Sequence, residues 1–109
     1  MNTSYYSKYK GENGVCISLY KPQGWKGLHY PSLSPSSRLL LDYKKGLVTD
    51  EGFELRYKEE TLSKLDPNKV YKELRGKVLL GHYDTRSLCH RHMIAKWLKE
   101  TIGVDVSEL

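Results

Sequence analysis

The sequence predicts a small α/β domain, a three-layer, Rossmann-like arrangement in which helices flank a short, mainly parallel sheet. Three observations predict it. Apolar strand-like runs alternate with helical segments along the 109 residues, the pattern that gives a parallel sheet with helical crossovers. Val78-Leu79-Leu80 is continuously apolar, as in a strand buried on both faces. The length suits one domain with one modest core, and 39% hydrophobic with 28% charged residues is globular usage rather than disorder.

Each element follows from local chemistry. Asn2 to Tyr6 and Val15 to Tyr20 read as short strands, with Gly11-Glu12-Asn13-Gly14 as the turn before the second. A loop from Lys21 to about Ser36 is rich in Pro, Gly and Ser and carries Trp25, His29 and Tyr30. Loops of that length in a small domain tend to serve or cover a site. Ser36 or Ser37 caps a helix over Arg38 to Lys45 that ends at Gly46. Thr49 or Asp50 starts another, running to about Leu65, with Phe53, Tyr57 and Thr61 at four-residue steps. Asp66-Pro67 forms an N-cap and first-turn pair, with Gly76 as a stop. Lys77 to Gly81 is a strand. The last helix runs from about Leu88 to Ile102, with Met93, Ile94, Trp97, Leu98 and Ile102 at helical spacing and Gly103 as its stop. Val104-Asp105-Val106 reads as a short edge strand. There is no internal repeat.

The chemistry gathers where the strand ending at Gly81 passes through His82-Tyr83-Asp84-Thr85-Arg86-Ser87 into Cys89-His90-Arg91-His92. Ligands of open α/β sheets sit beyond the carboxyl ends of the strands, against helix N-termini whose exposed N–H groups favour anions. Cys89 beside cationic neighbours is a candidate nucleophile; it is equally a small core residue sharing a face with Met93 and Trp97. His90 and His92 titrate near neutrality and are eligible for proton transfer. Arg91 can grip a phosphate or carboxylate through two parallel hydrogen bonds, or form an internal salt bridge to Asp84. Arg86 is a second possible contact. His82, Cys89, His90 and His92 lack a Cys-x-x-Cys or His-Glu-x-x-His spacing, so no metal is expected. No cofactor is expected either, since no glycine-rich loop precedes a Lys-Ser/Thr pair. The loops of cysteine phosphatases and rhodaneses do not fit, because Cys89 leads directly into a helix.

Tyr5 in the first strand, Trp25 after the second, Tyr57 in its helix, Leu79-Leu80 and the run Cys89-His90-Arg91-His92 before Trp97 together resemble the domain of unknown function 488 family, which has bacterial, archaeal and phage members. The resemblance covers nearly the whole chain. It implies a compact α/β fold with the Cys-His-Arg turn beside a pocket, and supplies no reaction. Relatives commonly carry a cysteine where this chain has Gly81, and an acid where it has Tyr83; Asp84 is adjacent. The missing thiol argues against a cysteine pair as a redox or metal device.

Lys and Arg exceed Asp and Glu by 18 to 13, for a net charge of +5, which favours acidic partners. The first reading is therefore a binder of a small anionic ligand, a nucleotide or phosphorylated metabolite, with possible turnover. Arg91, His90 and the helix N-terminus would hold the charged group, Tyr5, Trp25 or Tyr57 would stack on a base or sugar, His92 and Asp84 would be further ligand contacts, and Cys89 or His90 would act catalytically. Two alternatives stay open: a basic nucleic-acid-associated protein, and a phage-type accessory protein that binds another protein through an exposed apolar patch. Met1 to Tyr5 lacks the character of a signal peptide, and no apolar run spans a bilayer. A cytoplasmic protein with reduced Cys16 and Cys89, and no membrane partner, is expected.

Overall fold

The computed structural model describes residues 1–82 and 88–109. Among these, five parallel strands, β1 (Asn2–Tyr5), β2 (Gly14–Cys16), β3 (Leu28–His29), β4 (Val78–Gly81) and β5 (Ser107–Glu108), form one sheet in the order β3-β2-β4-β1-β5. Helices α1 (Ser37–Lys44), α2 (Asp50–Glu60) and α3 (Pro67–Leu74) lie between β3 and β4 in the chain, and α4 (His90–Ile102) between β4 and β5. This is a small α/β domain, as the sequence predicts.

The strand order explains what covers each face. The steps β1 to β2 and β2 to β3 run one way across the sheet, and β3 to β4 and β4 to β5 run the other. Right-handed crossovers put opposite steps on opposite faces. Thr3, Leu79 and Val15 are register partners and share one face, where Val15, Ile17 and Leu79 join one core with Leu39, Tyr57, Leu74 and Ile94 from the four helices. Ser4, Leu80 and Cys16 share the other face, beneath Tyr9 and Trp25 of the two helix-free connections.

Local signals placed the helices. Ser36 Oγ accepts from Leu39 N at 3.1 Å and Thr49 Oγ1 from Gly52 N at 3.0 Å, while Asp66 caps α3 ahead of Pro67. Gly103 ends α4 at φ 70°, a left-handed conformation that suits glycine.

Several boundaries differ from expectation. β2 stops at Cys16 rather than Tyr20, because the next carbonyl, of Ile17, turns to His90. The long loop contains β3 and a 3₁₀ turn over Pro31–Leu33. α2 ends at Glu60 and yields to a 3₁₀ turn over Leu62–Lys64. α4 begins at His90, with Cys89 as its N-cap. The edge strand is Ser107–Glu108, not Val104 to Val106, because Thr3 accepts the backbone N–H of Leu109 and Glu108 faces Thr3 and Arg91. Among the described residues no helix is long and apolar enough to cross a membrane.

Candidate functional site

β2 leaves the sheet toward β3, and β4 leaves in the opposite direction through α4. Their carboxyl ends therefore form a switch point, where open α/β sheets leave a crevice. A cavity of about 860 Å³ lies there. Its polar lining consists of Ser18 after β2, His82 after β4, and Cys89 and His90 at the start of α4. Its walls are apolar: Leu40 and Tyr43 of α1, Val48, and Phe53 of α2. Lys44 adds a cation. A mostly apolar cleft with a few converging polar groups is the usual form of a small-ligand site.

Cys89 is buried, a free thiol like Cys16. It holds the N-cap position without a side-chain capping bond. Its sulfur lies beside the Arg91 guanidinium and fills the space next to Gly81: a Cβ there would collide with Cys89 Sγ and come within 3.0 Å of Arg91 Nη1. Glycine at position 81 is thus what admits the Cys89 sulfur.

His90 is buried, and its Nε2 donates to the Ile17 carbonyl at 2.8 Å. That bond places the proton on Nε2 and leaves Nδ1 with its lone pair. Burial, with smaller contributions from His82 and Arg91, pushes its pKa down to about 4. The imidazole is neutral at physiological pH.

Arg91 has no exposed surface. Its Nε and Nη2 reach the two Glu108 carboxylate oxygens at 3.1 Å each, and Thr3 Oγ1 donates to the same carboxylate at 2.6 Å. The guanidinium carbon lies 5.5 Å from the centre of the Tyr5 ring. Burial opposes the charge, but Glu108 and Cys89 outweigh it and hold the Arg91 pKa above the usual arginine value. Burial would likewise raise the Glu108 carboxyl, and the bonds from Arg91 and Thr3 bring it below the usual glutamate value. Two parallel bonds to a carboxylate are what the sequence suggested for Arg91, and among the described residues Glu108 supplies one such carboxylate.

The remaining sequence candidates divide by position. His92 lines a second, smaller cavity of about 400 Å³ with Asp50, Glu54 and Lys96, and Cys89 borders both cavities. Burial and then the Arg91 charge lower the His92 pKa, and its Nε2 has no hydrogen-bond partner. Tyr57 lies in the core, its hydroxyl donating to the Leu33 carbonyl and its ring edge-on to His90 at 5.6 Å. Trp25 packs over the opposite face of the sheet, donating to the Leu28 carbonyl and meeting Tyr6 edge-on at 5.4 Å. Asp84 and Arg86 lie outside the described residues. Among the described residues no cluster of three His, Cys, Asp or Glu side chains is arranged to hold a metal.

Sequence reasoning passed over Ser18, Leu40, Val48 and Glu108. A serine after a strand and a leucine on a helix carry no chemical signature, and the strand order alone brings them together.

The model of the DUF488-N3a family, described as the active DUF488-N3 subclade, matches residues 10–102, which include every element that lines the cavity. The chain belongs to the DUF488-N3a family. No curated protein and no solved structure matches it. In this DUF488-N3a domain the matched segment spans both partners of the switch point, β2 and β4, and the whole of α4.

Proposed function

We propose that this DUF488-N3a domain binds a small ligand with a flat apolar body and a negatively charged end, of the nucleotide or phosphorylated-metabolite class, in the cavity between the carboxyl ends of β2 and β4. The observation that carries the reading is the cavity itself. Its apolar walls at Leu40, Tyr43, Val48 and Phe53 suit a ring, and its polar lining includes the start of α4. The helix N-terminus favours an anion there, and Lys44 adds a positive charge.

Arg91 acts in this reading from behind Cys89, as a fixed charge balanced by Glu108, rather than by touching the ligand. Any chemistry on the ligand falls to Cys89, which borders the cavity beside that charge. His90 serves as a neutral hydrogen-bonding group. The subclade's description as active accords with a thiol kept at the cavity.

Thermal unfolding against nucleotides, sugar phosphates and short oligonucleotides tests the reading. A small ligand at a hundred times its Kd should stabilise the fold by about 2.7 kcal/mol, a rise of roughly 10 °C for a domain of this size. Leu40→Glu puts a charge into the apolar wall at a residue that is 38% exposed, so it should fold and lose the rise. Arg91→Ala is a poorer probe, because it strands Glu108 and Thr3 and strikes the fold. A rise with oligonucleotides alone, or one unchanged in Leu40→Glu, would overturn the reading.

A further inference from the structure

All four helices pack on one face of the sheet, and segments 6–13 and 21–27 of the connections after β1 and β2 lie over the other. Aromatic rings form that cover. A Cβ at Gly14 would lie 3.1 Å from the Trp25 ring and 3.6 Å from the Tyr9 ring, so the two rings meet over Gly14. Tyr6 stands edge-on to Trp25, 5.4 Å between centres. Trp25 Nε1 donates to the Leu28 carbonyl at 3.0 Å, and the Tyr9 hydroxyl accepts from the Asn13 backbone N–H at 3.3 Å. Both rings are therefore held in place, yet both are only half-buried. Lys8 and Lys10 flank Tyr9, Lys26 follows Trp25, and all three are exposed. Over the two segments four lysines stand against the single acid Glu12, which is +3 of the chain's net charge of +5.

We propose that this face binds single-stranded nucleic acid, with Trp25 and Tyr9 as a stacking platform and Lys8, Lys10 and Lys26 as phosphate contacts. The surface lies on the far side of the sheet from the cavity, and the proposal stands without it. Charge complementarity selects a polyanion, and the rings narrow the choice. An unpaired base offers a π-face to an aromatic side chain, whatever its sequence. A duplex keeps its bases stacked on one another, and an acidic peptide has no flat ring on each unit. Either would use the lysines and leave the rings idle. The lysines are placed for phosphate: Lys8 and Lys10 donate to the exposed carbonyls of Leu109 and Tyr6, and an ammonium has three donors to give.

Anisotropy of a labelled oligothymidylate, twelve nucleotides long, titrated with the whole chain tests this, with tryptophan emission read in parallel. Trp97 is only 7% exposed, in the core, so quenching reports Trp25. Three phosphate contacts predict a loss of affinity of about twentyfold between 50 and 200 mM salt. Lys10→Glu and Lys26→Glu alter exposed residues and should fold as the wild type does. Each should weaken binding about fivefold and flatten the salt dependence. Trp25→Leu keeps an apolar cover over Gly14, removes the indole face and should weaken binding about tenfold. No binding at 50 mM salt, binding without quenching, or binding indifferent to both lysine variants overturns the proposal. So does a duplex of equal length or polyglutamate bound as tightly as the single strand, since charge alone would then account for the surface. Displacement of the oligonucleotide by a mononucleotide would place the strand in the cavity and overturn it as well. If Trp25→Leu did not fold, the salt series, the lysine variants and the duplex comparison would still decide.

Discussion

Lowering the pH from 7 to 4.5 should weaken this fold chiefly through one imidazole, that of His90. The ring is buried between the Ile17 carbonyl, which takes its Nε2 proton at 2.8 Å, and the edge of Tyr57. Arg91 and His82, the charged or titratable neighbours that bear on it, both oppose a second proton. Its pKa falls from the ordinary 6.5 to about 4. The unfolded chain therefore takes up a proton near pH 6.5 that the folded chain refuses until about pH 4. Stability from this group is complete above pH 6.5 and drains away as the pH falls toward 4. At 1.36 kcal/mol per pH unit the whole window is worth about 3 kcal/mol, most of it gone by pH 4.5. Urea unfolding followed by tryptophan fluorescence at half-unit pH steps measures it. His90→Gln keeps an amide N–H for the Ile17 carbonyl and cannot titrate. It should start less stable at pH 7, and its stability should fall by about 2 kcal/mol less than the wild type between pH 7 and 4.5. Parallel profiles for the two proteins would refute the reasoning, since acid loss would then belong to groups they share, such as His82 and His92.

Other perturbations follow from the same geometry. Gly81→Ala drives a methyl into Cys89 Sγ and should cost about 1–3 kcal/mol by overpacking; an unchanged melting temperature would show that the sulfur moves freely. Tyr57→Phe removes the bond to the Leu33 carbonyl and should cost about 1–2 kcal/mol in urea unfolding. Ser4→Ala deletes a hydroxyl with no exposed surface and no partner. It should leave stability unchanged or raise it by up to about 1 kcal/mol, and a clear loss would reveal a bond that the hydroxyl makes. Alkylation of the Cys89 thiol by iodoacetamide should slow when the cavity is filled, while a rate indifferent to ligand would separate the thiol from the cavity.

Local rules account for what the sequence disclosed. Serine, threonine and aspartate caps, Pro67 after Asp66, and the stripe from Met93 to Leu98 each act within a turn or two, so α1, α3 and α4 were legible from neighbouring residues. The end of α2 was not. Helical spacing from Phe53 and Tyr57 points to Thr61, but the core takes Leu62, and a 3₁₀ turn is needed to swing Leu62 inward. Nor was the pairing of Arg91 with Glu108 legible, because Glu108 reaches it only once β5 has docked beside β1. The Cys-His-Arg turn was rightly located at a strand end, yet its guanidinium faces inward and its imidazole carries no charge. Tyr57 and Trp25 read alike in sequence as aromatic surfaces for a ring. Burial in one case and the handedness of a crossover in the other took them out of the cavity, and Leu40 and Phe53 stand in their place.

The central claim, a small-ligand site at the switch point, is tested most directly by an amide chemical-shift titration of the isotope-labelled chain with the nucleotide that gives the largest thermal rise. The account predicts shifts concentrated at Ser18, Leu40, Val48, Phe53, His82 and Leu88–His90, with Tyr9 and Trp25 on the opposite face unmoved. Shifts centred on Tyr9 and Trp25, or spread evenly over the lysine-bearing surface, would contradict it.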